Sequence, residues 1–386
     1  MRFRHPDGSI VHLAYCTNVH PAEDLDGVIA QLDGCAALVR KRLDVPVLGV
    51  GLWLAHALAA QLASSPEALT RLRAALDRNG LEVVTLNGFP YAGFHDEVVG
   101  KKVYLPDWSQ PERLEYTRRL AEVLAQLLPA DASYGSISTL PLGWRTPWYG
   151  DRDALARTAI GALGNDLARL EERTGRRIRV ALEPEPGCIV ETVAQAADWL
   201  SPYGAAARAR IGVCVDTCHL AVQFEDPADA FRGLAAAGVP VVKSQVSAAL
   251  QIDDPGDPAS RALLAEFAEP KFLHQTRSAG LEGVDDLSLA AELPVDEAWR
   301  VHFHVPVHAE PLAPLRSTTD VLDASLRELV GGATPRTHHL ESETYTWSVL
   351  PKAQRPRDVE ELAAGIAGEL SWLRDRLVSL GLEVVA

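Results

Sequence analysis

Residues 180–187 read VALEPEPG, an apolar run that ends in two carboxylates two positions apart. Side chains alternate along a strand, so Glu183 and Glu185 point the same way if extended geometry persists past Pro184. Other apolar runs end in comparable groups. RIGVCVD delivers Asp216 and, through VDTCH, His219; PVVKSQV carries Lys243 and Gln245 on one parity; THHLESE ends with Glu341 and Glu343. Earlier runs lead into Asn18 and His20 (YCTNVH) and into Asn87 (LEVVTLN). Several carboxylates converging without counter-charge are strongly unfavourable, whereas a divalent cation turns the same group into a coordination shell. The competing reading is that each acid caps the next helix or pairs with an arginine. One strand-end acid is ordinary, but donor groups at the ends of four consecutive late runs favour the metal.

Such groups need a scaffold that gathers strand ends. Eight short apolar runs, at 9–16, 46–53, 81–87, 134–140, 177–183, 210–216, 240–246 and 337–343, alternate with helical patterns. In 22–43, Leu25, Val28, Ile29, Leu32, Cys35, Ala36, Val39 and Leu43 recur at one-face helical spacing. Ser109 and Glu112, with Pro111 between, read as a capping box for a helix over 109–128. A last helix over 357–380 aligns Val359, Leu362, Ile366, Leu370, Leu373 and Leu377. Strict alternation predicts parallel strands, and eight units predict a closed (β/α)8 TIM barrel, whose carboxyl strand ends meet on one face. No GxGxxG or P-loop follows any run, which weighs against a doubly wound nucleotide-binding fold.

The 386 residues exceed the roughly 250 of a plain barrel. The surplus is expected at 251–316, between strands seven and eight, as an inserted hairpin or lid within one domain spanning 1–386. KFLHQTR and WRVHFHVPVH are its strand-like runs. A PDG turn in MRFRHPDGSIVHLAY predicts a smaller hairpin at the bottom of the barrel. The phrase EVV, at 82–84 and 383–385, follows a helical pattern and Gly-Leu each time and reads as a recurrent helix-to-strand junction. In VHFHVPVH, alternation puts His302 and His304 on one face, while Pro306 interrupts the register before His308. These histidines read either as a separate zinc site or as substrate contacts with structural neighbours. His338 and His339 come too early in their strand to share the depth of the acids, and a position in the core or behind the site suits at least one of them.

Composition excludes several classes. Lys and Arg total 37 against 52 Asp and Glu, a net charge of −15 that repels phosphate backbones and anionic membranes, so nucleic acid is not an expected partner. No apolar stretch approaches the roughly 20 residues a bilayer requires, so membrane insertion is not expected and a cytoplasmic location is. Cys16, Cys35, Cys188, Cys214 and Cys218 read as reduced core residues rather than a disulfide framework. Trp53, Phe89, Tyr91, Trp108, Trp144 and Trp148, near the ends of strands two to four, are candidates to wall a substrate pocket.

These motifs together resemble the xylose isomerase-like superfamily of metal-dependent barrels. The EPEP of 183–186 is similar to the Glu-Pro-Lys-Pro in which the isomerases carry a metal-binding glutamate, and VDTCH is similar to the Asp-Thr-x-His of sugar epimerases. The resemblance implies Glu183, Asp216, Gln245 and Glu343 as ligands of a divalent ion (Mn, Co, Mg or Zn), with His219 touching substrate. Glu343 matches the depth of the other ligands better than Glu341. Glu185 stands where the isomerases place a catalytic lysine, so their hydride-shift scheme does not carry over, and Lys243 is the candidate cation from another strand. The segments YCTNVHP, LNGFPY, LEPEPG, DTCHLA, HFHVPVH and ESETYTW look most like EboE-type metabolite traffic proteins. The implied activity is a sugar or cyclitol isomerase, epimerase or dehydratase working through an enediolate. Glu183 and Glu343 would move the proton, and the substrate would be a small polyhydroxylated molecule. Asn18, His20, Asn87, Glu185, His302, His304 and Trp144 are the candidate substrate contacts. A non-catalytic metabolite carrier and a metal-dependent hydrolase of a small phosphoester are the rival classes, and the sequence is compatible with a homo-oligomer.

Overall fold

The computed structural model describes residues 1–385. All eight expected strands form: Ile10–Cys16, Leu48–Trp53, Leu81–Asn87, Gly135–Thr139, Ile178–Leu182, Ile211–Asp216, Val241–Val246 and His339–Ser342. They pair in parallel in chain order, and the eighth pairs back onto the first, with Leu340 opposite Leu13, so the sheet closes into a (β/α)8 barrel. Helices cover the outside and side chains fill the inside, so both strand faces are dry, which is why the strands read as near-continuous apolar runs. Strands two, three, six and seven are buried at every position.

The helical expectations hold with local corrections. The first helical region starts at Leu25, where the Asp24 carboxylate accepts from the Gly27 amide, and passes through a π-helical turn at Leu32–Ala36 before ending at Leu43. The helix Pro111–Leu127 carries no side-chain cap: its N-cap is Gln110, and the Ser109 hydroxyl donates to Asp107 instead. The proposed capping box fails because Asp107 offers that hydroxyl a closer local acceptor. On the last helix, Val359–Ser379, Val359 itself is exposed, since the packed stripe starts one turn later.

Both surplus segments are extended. Arg2–Arg4 pairs antiparallel with the start of strand one around a turn in which Gly8 has φ 90°, a left-handed conformation that glycine adopts without penalty. Glu383–Val385 pairs on its other side, Phe3 opposite Val384, so the second EVV is a true strand at the amino-terminal end of the barrel. Between strands seven and eight the insertion is more than a hairpin. Leu250–Ile252, Thr276–Ser278, Gly283–Val284, Trp299–Val301 and Arg316–Ser317 form a separate five-stranded antiparallel sheet. WRVHFHVPVH supplies only three strand residues, because the chain turns at Phe303, whose amide donates to the Val301 carbonyl at 2.8 Å. Among the described residues, no helix is long and apolar enough to cross a membrane.

Candidate active site

Strands five, six and eight end in Leu182, Asp216 and Ser342, and each delivers an acid at the carboxyl mouth of the barrel. One carboxylate oxygen each from Glu183, Asp216 and Glu343 lies within 4.8 Å of the others, and all three side chains are buried. Asp216 divides its oxygens between two tasks. Its Oδ1 accepts from the Cys218 and His219 amides at 2.7 and 3.0 Å and from the Ser247 hydroxyl at 2.8 Å, so it caps the short helix Thr217–Val222. Its Oδ2 has no hydrogen-bond partner among the described residues, nor has Glu183 Oε2. Gln245 lies in register with Asp216 on the neighbouring strand, and both of its buried amide atoms are likewise without partners. Unpartnered buried polar atoms are costly, and three of these four are oxygens (Glu183 Oε2, Asp216 Oδ2 and Gln245 Oε1) of the kind that suit a bound cation. Glu343 is steadied from one side, where Asn18 and Asn87 donate to its Oε1 at 2.6 and 2.8 Å.

The electrostatics follow from burial and crowding. Burial, reinforced by the Asp216 charge, pushes the Glu183 carboxyl up to about 8. Glu343 is pushed well above the usual carboxylate range by burial and by Glu183 and Asp216. Burial acts in the same direction on Asp216, but the facing His219 and His304 and the donors on Oδ1 override it and hold that carboxyl low. Like charges this close resist joint ionisation unless a cation is present.

A narrow cavity of about 50 Å³ opens beside the acids. Asn18, Asn87, Glu183, Glu185, His219, His302, His304 and Glu343 reach it. Glu185 accepts from the Tyr104 hydroxyl at 2.8 Å and lies 3.4 Å from His219 Nε2. Phe94, Phe272 and Tyr345 cluster over the opening with ring centroids 4.9 to 5.3 Å apart. The insertion is tied down there, since the Lys271 carbonyl accepts from the Val99 and Gly100 amides.

Three expected residues fall elsewhere. His20 is absorbed by Tyr15, whose hydroxyl lies 3.2 Å from its Nε2, and faces away from the cavity. Trp144 packs behind Tyr104, between Lys101 and Arg145, instead of lining the pocket. Lys243 does not reach the cavity: two residues before Gln245 on the same face, its ammonium binds Glu341, and both side chains are fully buried. Of the six candidate wall aromatics only Phe89 lines the cavity, because Trp53 and Trp108 spend their indole N–H groups on the Pro90 and Leu140 carbonyls in the packed loops. Tyr104 and Phe94 carried no sequence signal, lying in a long segment without period. Tyr345, Phe272 and Gln275 sat unremarked inside quoted segments. His308 lies apart and exposed beside Trp347, and His339 stacks on Tyr134 in the core. All five cysteines are free and buried.

The model of the xylose isomerase-like TIM barrel family matches residues 48–260. The chain belongs to this family. No curated protein matches it. Among solved structures, it is similar to D-allulose 3-epimerase from a Methylomonas species in complex with D-allulose. That likeness has 12% identity and a TM-score of 0.52, and covers 95% of this chain and 97% of that one. It is also similar to an L-ribulose 3-epimerase at 11% identity, with a TM-score of 0.51, covering 96% and 95% of the two chains. At these identities the likeness is one of fold.

Proposed function

We propose that this protein is a metal-dependent isomerase or epimerase acting on a small, uncharged polyhydroxylated substrate. The observation that carries the reading is the buried group of Glu183, Asp216 and Glu343, with Gln245 in register beside Asp216; Glu183, Asp216 and Gln245 each keep an unpartnered oxygen, and Glu183 and Glu343 reach the cavity. A divalent cation held there (Mn, Co, Mg or Zn) would supply positive charge to a substrate carbonyl and its neighbouring hydroxyl, making the intervening C–H acidic. Glu183 removes that proton and Glu343 returns it, with Asn18 and Asn87 fixing the Glu343 carboxylate. His219 presents Nε2 to a substrate oxygen, its ring oriented by the Nδ1 contact with the Pro184 carbonyl at 2.8 Å. Phe89, Phe94, Tyr104 and Tyr345 offer apolar faces to the C–H edges of a sugar ring and help exclude water.

Among the described residues no arginine or lysine side chain lines the cavity, which favours a neutral polyol over a phosphoester. The motif likeness to EboE-type proteins and the epimerase folds of the solved neighbours support sugars and cyclitols as the classes to screen. Metal analysis of the wild type and of Glu183→Gln with Glu343→Gln tests the reading. At least one divalent ion per chain is expected, with loss of the ion at this layer in the double variant and solvent deuterium entering bound sugars or cyclitols only with the wild type. Metabolite binding with no deuterium incorporation under any metal would make the protein a carrier instead.

A further inference from the structure

Between the helical region that follows strand one and the start of the last helix runs an open groove of about 640 Å³, within the roughly 300–1,000 Å³ of small-molecule sites. It shares no lining residue with the cavity at the barrel mouth. Its wall is largely apolar, built from Val19, Ala30, Trp347, Pro356, Val359 and Leu362. Val359, left exposed by the packing of the last helix, thereby finds a setting. The charged and imidazole groups that line the groove are engaged, with one exception. Arg357 Nε binds Glu361 at 2.6 Å, and the Asp358 carboxylate caps the helix by accepting from the Glu361 amide at 2.9 Å. His20 is taken by Tyr15. Lys271 is half-buried, and among the described residues no carboxylate pairs with it; Glu269 and Asp96 act on its charge only from farther off. Its ammonium has one hydrogen-bond partner among the described residues, His95 Nδ1 at 3.4 Å. His95 Nε2 faces the Asn18 carbonyl at 2.6 Å, a group that only accepts, so Nε2 carries the ring hydrogen and Nδ1 accepts from the ammonium. That imidazole is neutral, since burial brings it down to about 4. A half-buried ammonium with a single neutral partner has lost much of its hydration and keeps two N–H groups to donate.

We propose that this groove binds a free single-chain carboxylate amphiphile, such as the anion of a medium-chain fatty acid, with its carboxylate on Lys271 and its chain along the apolar wall. The ligand's one charge complements the one unpaired cation, and its hydrocarbon removes the exposed apolar wall from water. A wholly polar ligand leaves that wall wet, and a wholly apolar one leaves the ammonium without an acceptor. The net charge of −15 opposes the alternative of an anionic membrane surface. Gly34, in the π-helical turn, lines the same groove, and a Cβ there meets nothing within 4 Å, so the wall is open on that side. The site is independent of the proposed activity, because none of the four residues assigned to the cation lines it.

The test is calorimetric titration of the full chain with octanoate, decanoate and laurate, each kept below its micelle concentration. One ligand should bind per chain, with affinity rising by up to about fourfold per added methylene. Lys271→Met should weaken laurate binding by about 10- to 100-fold, the worth of a charge-assisted hydrogen bond. Gly34→Trp, which fills open space, and Val359→Glu, which sets a like charge on the wall at a helix start that tolerates acids, should each remove saturable binding. Circular dichroism confirms that the variants are folded, and the chain-length series on the wild type needs no variant. Absence of saturable binding to the wild type overturns the site, as does uptake of many laurates per chain that the Gly34 and Val359 changes leave untouched. Full affinity in Lys271→Met overturns the carboxylate assignment. Binding to phosphatidylcholine vesicles containing phosphatidylglycerol, without binding of free laurate, overturns the free ligand in favour of a membrane surface.

Discussion

Replacing Lys243 with methionine separates a structural from a chemical role for the buried cation of strand seven. The Lys243 ammonium and the Glu341 carboxylate are in contact and fully buried. Burial acts to lower the lysine, but the Glu341 charge prevails and holds it above the ordinary lysine value. Lys243→Met keeps the volume and leaves Glu341 as an unpaired buried charge, a change that costs about 3–5 kcal/mol. Unfolding entropy of roughly 2.1 cal/mol/K per residue over 386 residues amounts to about 0.8 kcal/mol/K. The expected fall in Tm is therefore roughly 4–6 °C. Thermal unfolding of Lys243→Met, Glu341→Gln and the double variant supplies the full cycle. The double variant should recover to within about 1–2 kcal/mol of wild type, because neither charge is then left unpaired. A Lys243→Met protein that melts within about 1 °C of wild type yet has lost turnover would refute this argument and return Lys243 to the chemistry.

Two buried glutamates should move stability with pH in opposite directions. Glu369 on the last helix accepts from the Thr344 hydroxyl at 2.6 Å, yet burial pushes its carboxyl up to about 7. The folded state then keeps a proton that the unfolded chain releases near 4.5, so stability falls as pH rises from about 4.5 to 7, by about 3 kcal/mol in all. Glu369→Gln should raise Tm at pH 8 and hardly change it at pH 4. Burial would also raise Glu82, but His12 and Arg2 override it and bring the carboxyl down to about 2. Its stabilisation, up to about 3 kcal/mol, is present above pH 4.5 and is lost as pH falls toward 2, so Glu82→Gln should flatten acid unfolding in that window. A Cβ at Gly51 would come 1.5 Å from Glu341 Oε1. Gly51→Ala should cost about 1–3 kcal/mol by overpacking, read as a lower denaturation midpoint; an unchanged midpoint would mean that Glu341 has room to move.

The barrel was legible because its signal is periodic and repeated: each of the eight apolar runs became a strand within two residues at either end, and parallel pairing followed from the alternation. The ends of strands five, six and eight were legible for the same reason, since position on a parallel strand fixes depth in the barrel. Lys243 shows where depth alone fails. Parity put it inward beside the acids, but inward-facing positions form layers, and two residues of rise set it against Glu341 rather than Glu343. The loop residues escaped for a different reason. Tyr104 and Trp144 both follow strand ends, and only the packing of one ring behind the other decides which of them meets the cavity.

The insertion teaches the sharper lesson. Alternation in VHFHVPVH predicts that His302 and His304 share a face, and both do reach the site, yet strand geometry ends at Val301. What aims them is hydrogen bonding: the Gln275 side chain takes His302 Nδ1, and the Glu343 carbonyl takes His304 Nδ1. The second of these partners adjoins a carboxylate of the buried acidic group, so the backbone that positions Glu343 also turns His304. Both rings are buried and held by their Nδ1 atoms, so the insertion does more than cover the barrel mouth: it sets two ordered imidazoles in the cavity lining, and the hydrogen bonds that hold them offset part of the freedom lost at those positions.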